Sequence, residues 1–481
     1  MKGGRNMSAK AQGSPTKEFF VGMLTRDIEL NDAILDLVDN CLDGVVRQKD
    51  GIDKTDLNYY KGFFSHIDID KEAFVIEDNC GGIPKDIAEK HAFRMGRSSE
   101  KNEKRLPTVG IYGIGMKRAI FKMGRSAIVY TRNNNVLYQV SIPIEWEDNE
   151  TEWDFPMEDL ENVDMLENGG TRIEISNINS DIAELWESED KLEGFVDSLI
   201  KTIQQSYSFI IQKGFEIVIN GKKISPLPME LLIDNSVENS IKPFLFQQSF
   251  EDVHVSLAIG FYASPPSPED IDDESVLRRT SSDAGWTVIC NDRVVLYNDK
   301  SHLTGWGEAG VPQYHTQFIG IRGIVIFESN NPQKLPMTTT KRGINTSSNI
   351  YAAVKDRMRQ GMKIFTDYTN RWKGQNNRER VYSKAAKRVP VESLLESKEK
   401  IEATENIKFR TNKGGFVYNP NLPKPENDKP YRRISFSRSS EEIEDIIEYW
   451  YDDREHSMTP SQVGEKCFEQ ILDEARRKEG E

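Results

Sequence analysis

The sequence predicts an α+β protein of about three domains. Its 481 residues with 37% hydrophobic content suffice for several cores at ordinary domain size. One strongly patterned helix near residue 40 runs into strand-like segments, and a second set of strands returns after another helix near residue 200. No run of ~18 apolar residues occurs, so no membrane-spanning helix and no membrane partner are expected. Residues 1–17 lack the apolar run of a signal peptide, and the expected location is cytoplasmic. The four cysteines, Cys41, Cys80, Cys290 and Cys467, show no C-x-x-C spacing, which argues against a zinc site or a disulfide framework. A formal charge of −15 disfavours coating of nucleic acid by the whole surface and leaves that role to a local basic region.

Residues 1–18 are polar and small, the composition of a mobile arm, and Phe19, Phe20, Val21 and Met23 then require burial. From Asn31 to Val46, Ile34, Leu37, Val38, Cys41, Leu42 and Val45 form one helical stripe, with Asp32, Asp36, Asn40 and Asp43 on the other side. Asp36 and Asn40 are one turn apart, so a carboxylate and a carboxamide point into one small volume, a geometry open to a base and a metal ligand. Ser65–Ile69 and Ala73–Glu77 read as paired strands, the second leading into Asp78-Asn79-Cys80-Gly81-Gly82-Ile83. Its glycines permit close backbone approach, and the motif lacks the acidic ladder of a calcium loop.

The polar composition after Gly96 is that of a lid extending to Pro107. Gly110-Ile111-Tyr112-Gly113-Ile114-Gly115-Met116-Lys117 follows and opens a short helix. Its glycine order is neither the dinucleotide fingerprint nor a P-loop, yet glycines at a helix N-terminus followed by Lys117 make a phosphate cradle. Strands are expected at 127–130, 136–142 and 172–175, the last after Gly169-Gly170-Thr171.

Beyond residue 190, a helix is expected over 192–213 and a strand over 215–222 into an Asn-Gly turn. An acidic, proline-bearing insertion spans 264–283, and strands return at 286–290, 293–297 and 319–327. Residues 351–390 hold eleven Lys/Arg against three acids, a local +8. Val354, Met358, Met362, Phe365, Tyr368 and Trp372 recur at helical spacing there, predicting one long basic helix able to meet DNA phosphates or the chain's own acids. A linker (411–431) and two helices (441–450, 463–477) complete a tail suited to docking a protein partner.

D-L-V-D-N-C-L-D-G, D-N-C-G-G-I, G-I-Y-G-I-G-M-K and G-G-T, in that order within about 140 residues, resemble the GHKL ATPase superfamily. That superfamily includes the gyrase B subunit, MutL, heat-shock chaperone ATPases, histidine kinases and MORC proteins; the third motif is most similar to the MORC version. A histidine kinase is disfavoured because no phosphoacceptor helix with a suitable His precedes the motifs. The resemblance implies a GHKL α/β sandwich (Bergerat fold) over residues 19–190 and an α+β transducer domain over 191–348. The basic helix (349–390) and the helical tail (391–481) then follow.

The resemblance also implies ATP and Mg²⁺ as ligands and assigns roles. Asp36 would be the general base and Asn40 the metal ligand. Asp78 would accept from the adenine amino group, with Gly82 and Ile83 making room for the ring and Thr171 near it. Gly110, Gly113, Gly115, Met116 and Lys117 would wrap the phosphates, and Lys341, in Leu335–Gly343, would reach the γ-phosphate from the transducer. Two departures stand out: Asp36 is one methylene shorter than the family's Glu, and Cys80 replaces its first Gly. Lid closure and homodimerisation on ATP, with action on DNA in repair, topology or defence against foreign DNA, are the implied functions. The alternatives are a chaperone-like protein clamp and a nucleotide-gated docking subunit with negligible turnover.

Overall fold

The computed structural model describes residues 15–479 apart from 53, 55, 95–105, 111–112, 162–164, 167–168, 237–238, 267–281, 339, 397–414, 426–433, 435 and 455. The expected lid and most of the expected N-terminal arm and acidic insertion lie outside the described residues. Helix α1 (Lys17–Thr25) starts within the span expected for the arm, at Lys17, with Thr16 as its cap. Lys17 is fully buried; its ammonium sits 4.0 Å from the Trp146 ring centre and donates to the Trp146 and Glu152 carbonyls.

Helix α2 (Leu30–Gln48) is followed by β1 (Phe64–Ile69) and β2 (Phe74–Asp78). A short helix α3 (Lys85–Ile87) then passes into a π-helical turn. Next come α4 (Gly115–Met123), β3 (Gly124–Asn133), β4 (Val136–Ile142), β5 (Met157–Asp159) and β6 (Gly170–Ile178). Helices α5 (Ser180–Trp186) and α6 (Glu189–Gln212) lead to β7 (Glu216–Ile219) and β8 (Lys222–Lys223). The strands form one sheet in the order β5-β4-β3-β6-β2-β1-β7-β8, antiparallel except where β7 joins β1. Strand positions alternate between buried and more exposed, as a sheet covered by helices on one face requires. The apolar stripe of α2 packs into the same core as Ile67, Ile69, Ile76, Val129 and Ile175.

The expected boundary at residue 190 does not hold. Helix α6 contributes Leu199, Ile203 and Tyr207 to this first core, and β7 completes its sheet, so the division falls after Ile224.

The second sheet has the order β13-β12-β14-β11-β10-β16. It comprises β10 (Phe244–Phe250), β11 (Val253–Phe261), β12 (Gly285–Cys290), β13 (Arg293–Asp299), β14 (Ile321–Glu328) and β16 (Phe416–Tyr418). Its central strands are buried along nearly their whole length because both faces are covered. Leu257, Ile259 and Val325 face helix α7 (Asn349–Arg371), while Ala258, Ile324 and Ile326 belong to a core with Phe209 and Leu394. The β10–β11 hairpin was not anticipated from the sequence.

The single long basic helix is corrected. After α7 the chain turns at Trp372–Gln375, where Gly374 takes φ +81°, a left-handed conformation that ends a helix and suits glycine. Helix α8 (Asn376–Ala385), strand β15 (Lys387–Pro390) and helix α9 (Val391–Glu396) follow, and β15 pairs with β9 (Glu230–Ile233). The tail is also more than a linker, since Phe416–Tyr418 is an edge strand on β10. Helices α10 (Ser440–Tyr451) and α11 (Pro460–Glu479) lie where two helices were expected.

Candidate functional site

Helix α2 departs from an ordinary surface helix on its polar side. Asp36, Asp39 and Asp43 are 5%, 1% and 5% exposed, and between Leu30 and Val46 Asn40 alone is exposed. The burial arises because the glycine-rich run, Arg118, Arg293 and Lys341 cover these carboxylates, and beside them a cavity of about 800 Å³ opens between α2, the end of β2, the glycine-rich run and a loop of the second domain. All twelve residues singled out above line it: Asp36, Asn40, Asp78, Gly82, Ile83, Gly110, Gly113, Gly115, Met116, Lys117, Thr171 and Lys341.

At one end, Asp78 closes β2 opposite Thr171 of β6. Burial pushes its carboxyl up to about 6, against the pull of the Cys80 amide (2.7 Å) and the Thr171 backbone. Gly82 sits at φ +66°, and a Cβ there would lie 2.1 Å from the Arg132 carbonyl oxygen, so no other residue fits. Ile83 N–H donates to Thr131 Oγ1 (2.8 Å), which is 3.3 Å from Thr171 Oγ1. The left-handed turn falls on Gly81 and Gly82, which is why Cys80 can stand at the preceding position.

Along the middle, the Asp43 carboxylate accepts from Val109 N–H (2.7 Å) and Gly110 N–H (2.8 Å), tying the glycine run to α2. A Cβ on Gly110 would lie 2.5 Å from Asp43 Oδ2, so the tether itself demands glycine. Helix α4 opens into the cavity at Gly115, Met116 and Lys117, where first-turn N–H groups lack helical acceptors. Lys117 is buried, which lowers its pKa to about 8, and its ammonium donates to the Ala92 (2.9 Å) and Gly113 carbonyls. In this arrangement Lys117 braces the loop.

At the other end, Lys341 Nζ lies 3.1 Å from Asp36 Oδ1 and 2.7 Å from Asp39 Oδ2, while Arg118 donates to Asp36 Oδ2. Lys341 has φ +58°, an uncommon conformation for a non-glycine residue that its tight loop imposes. Asp39 Oδ1 also accepts from Arg293 Nε (3.1 Å) and Tyr207 OH (2.8 Å). Lys341 and Arg293, with the Tyr207 hydroxyl, hold the Asp39 carboxyl below the usual range despite full burial. Sequence reasoning missed Asp39, Asp43, Arg118 and Arg293, and also Asn331–Gln333, which line the same cavity. No local signal marks the two acids, since helical spacing reads the same for a buried acidic face and a solvated one.

Among the described residues no group of three or more His, Cys, Asp or Glu side chains could hold a metal ion. Mg²⁺ takes one or two protein oxygens together with waters and phosphate oxygens. The exposed Asn40 carboxamide on the cavity wall therefore fits a Mg²⁺ that arrives with phosphates. No helix among the described residues is long and apolar enough to cross a membrane.

Residues 28–172 match a family model described as histidine kinase-, DNA gyrase B-, and HSP90-like ATPase. No curated protein matches the chain. The match supports a GHKL-type ATPase domain at the N-terminus, and with it ATP binding and hydrolysis in general. It ends well before Arg293 and Lys341.

Proposed function

We propose that this protein is a Mg²⁺-dependent, MORC-like ATPase whose second domain, acting as a transducer, completes the active site with Lys341. The observation that carries this reading is the contact of Lys341 with Asp36 at the end of a cavity lined by the glycine-rich run. Adenine would lie against Asp78, Gly82 and Ile83, near Thr171, and the phosphates along Gly110, Gly113 and the start of α4. Asn40 would hold Mg²⁺, which supplies charge neutralisation across the phosphates. Asp36 takes the proton of a water that attacks the γ-phosphorus as the bond to the β,γ-bridging oxygen breaks, giving ADP and phosphate. Because Asp36 Oδ1 begins paired with Lys341 while Oδ2 is held by Arg118, transfer of the Lys341 ammonium to the γ-phosphate frees Oδ1 to act as base and offsets phosphate charge in one movement.

The finer reading is ATP-gated dimerisation and action on DNA. Phe19 and Met23, one helical turn apart on α1, are 61% and 64% exposed and offer apolar surface to a second copy. Lys363, Arg371, Lys373, Arg378, Lys384, Lys387 and Arg388 are exposed, although Lys355 and Arg359 already pair with Glu308. Seven exposed cations on one segment of an acidic chain favour phosphate backbones over a protein client.

Phosphate release by the full chain, with and without Mg²⁺ and duplex DNA, tests this. Turnover that needs Mg²⁺ and rises with DNA is expected. A wild-type rate no higher than that of Asp36→Asn overturns the ATPase, and stimulation by unfolded protein instead of DNA favours a clamp on proteins.

A further inference from the structure

We infer that Asp39 is the positioning residue of this active site, anchoring the Lys341 ammonium beside Asp36 and linking it to the second domain through Arg293. The inference rests on the role proposed for Lys341.

Asp39 stands three residues after Asp36, so both carboxylates leave α2 in the same direction. Unlike Asp36 it does not line the cavity, and it is 1% exposed, so it acts on substrate through another group. Its two oxygens take three donors from three separate elements. Tyr207 belongs to α6, Arg293 to β13, and Lys341 to the loop after β14. The ammonium is nearer to Asp39 (2.7 Å) than to Asp36 (3.1 Å), so Asp39 is the closer of its two anions.

Arg293 is itself fixed on every side. Its guanidinium lies 4.3 Å from the Tyr207 ring centre and donates to the Ser206 (3.2 Å) and Val294 (2.8 Å) carbonyls. A rigid frame made by α6 and β13 thus holds Asp39, and Asp39 holds the lysine. A long, freely rotating side chain in a left-handed loop would otherwise sample many positions, and a ~1 Å misplacement costs about 100-fold in rate. With Asp39 in place, Lys341 can swing between Asp36 and the γ-phosphate about a fixed point.

The test is steady-state ATP hydrolysis by the full chain carrying Asp39→Asn, Lys341→Ala and both together. Asp39→Asn is expected to lower kcat about 100-fold with KM for ATP little changed, and to add no further loss in the Lys341→Ala background. An Asp39 that served only the fold would lower kcat by the same factor in both backgrounds, and that result overturns the inference. Tyr207→Phe removes one donor without changing charge. It should cost about fivefold in kcat, again only when Lys341 is present, and carries the test if Asp39→Asn does not fold; an unchanged kcat there counts against the inference. Wild-type kcat in Lys341→Ala would be a different failure, removing Lys341 from the chemistry and this inference with it.

Discussion

Lys341 Nζ lies 3.1 Å from Asp36 Oδ1 although 305 residues separate them in the chain. A lysine in a Thr-rich loop is ordinarily a solvated charge. Here burial would lower its pKa, yet Asp39 and Asp36 together hold it above the usual lysine value. The loop also accepts a left-handed backbone at Lys341, at a cost of about 1 kcal/mol. Both features place the ammonium where it neutralises Asp36, the proposed base, until a stronger anion competes for it.

Removing either partner should therefore separate binding from turnover. Lys341→Ala is expected to keep ATP affinity while kcat falls about 10²–10³-fold, the scale of losing one transition-state cation or donor. Asp36→Asn should likewise bind ATP and lose about 10²–10⁴-fold in rate, the usual contribution of a positioned base. Calorimetry and phosphate release check both, and normal turnover in Asp36→Asn would mean that another group activates the water.

Asn40→Ala should abolish the Mg²⁺-dependent part of ATP affinity. Asn40 is the one exposed residue of α2 between Leu30 and Val46, and the acids around it are already engaged by Lys341, Arg118, Arg293 and backbone amides. The measurement is calorimetric titration with Mg²⁺ and with chelator. Wild-type and mutant affinities that differ equally in both conditions would place the metal elsewhere.

Affinity for ATP should also depend on pH through Asp78, whose carboxyl burial raises to about 6. An adenine amino group donates to the ionised form, so binding pulls this pKa down and releases a proton near pH 6. The sign follows: affinity falls as pH drops through about 6 and levels off above it. Asp78→Asn should bind more weakly and lose the dependence. A flat affinity between pH 5 and 7 in wild type would remove Asp78 from the base-reading position.

How far the site was legible in the sequence depended on distance along the chain. Asp36 and Asn40 could be paired because one helical turn fixes their direction, and Gly82 and Gly110 because only glycine answers the close contacts at those points. Asp39 could not be read, because its partner Arg293 lies 254 residues away and periodicity cannot tell a buried acidic face from a solvated one. Lys341 was reachable only through a family likeness. The break after α7 was hidden because the apolar spacing continues through Trp372, and Gly374 alone marks it. Strands β15 and β16 are short and pair with β9 and β10, far upstream in the chain, so no local pattern announces them.

The same break carries the last prediction. Glu379, on α8, is fully buried across the turn from α7, where Tyr368 OH (3.0 Å) and Ser383 Oγ (3.1 Å) donate to it. Two hydroxyls do not compensate the desolvation of a carboxylate, and burial raises its pKa to about 7. A raised carboxyl pKa means that the folded state binds the proton more tightly than the unfolded chain. Its contribution to stability is thus fully present below the ordinary carboxylate range and lost as pH rises through about 7. The shift corresponds to about 3 kcal/mol at most. Glu379→Gln, which mimics the protonated form, should raise Tm by roughly 5 °C at pH 8 and leave it nearly unchanged at pH 5. Thermal melts of both proteins at the two pH values check this; an equal effect at pH 5 and pH 8 would show that the substitution acts through packing and that Glu379 is not the titrating group.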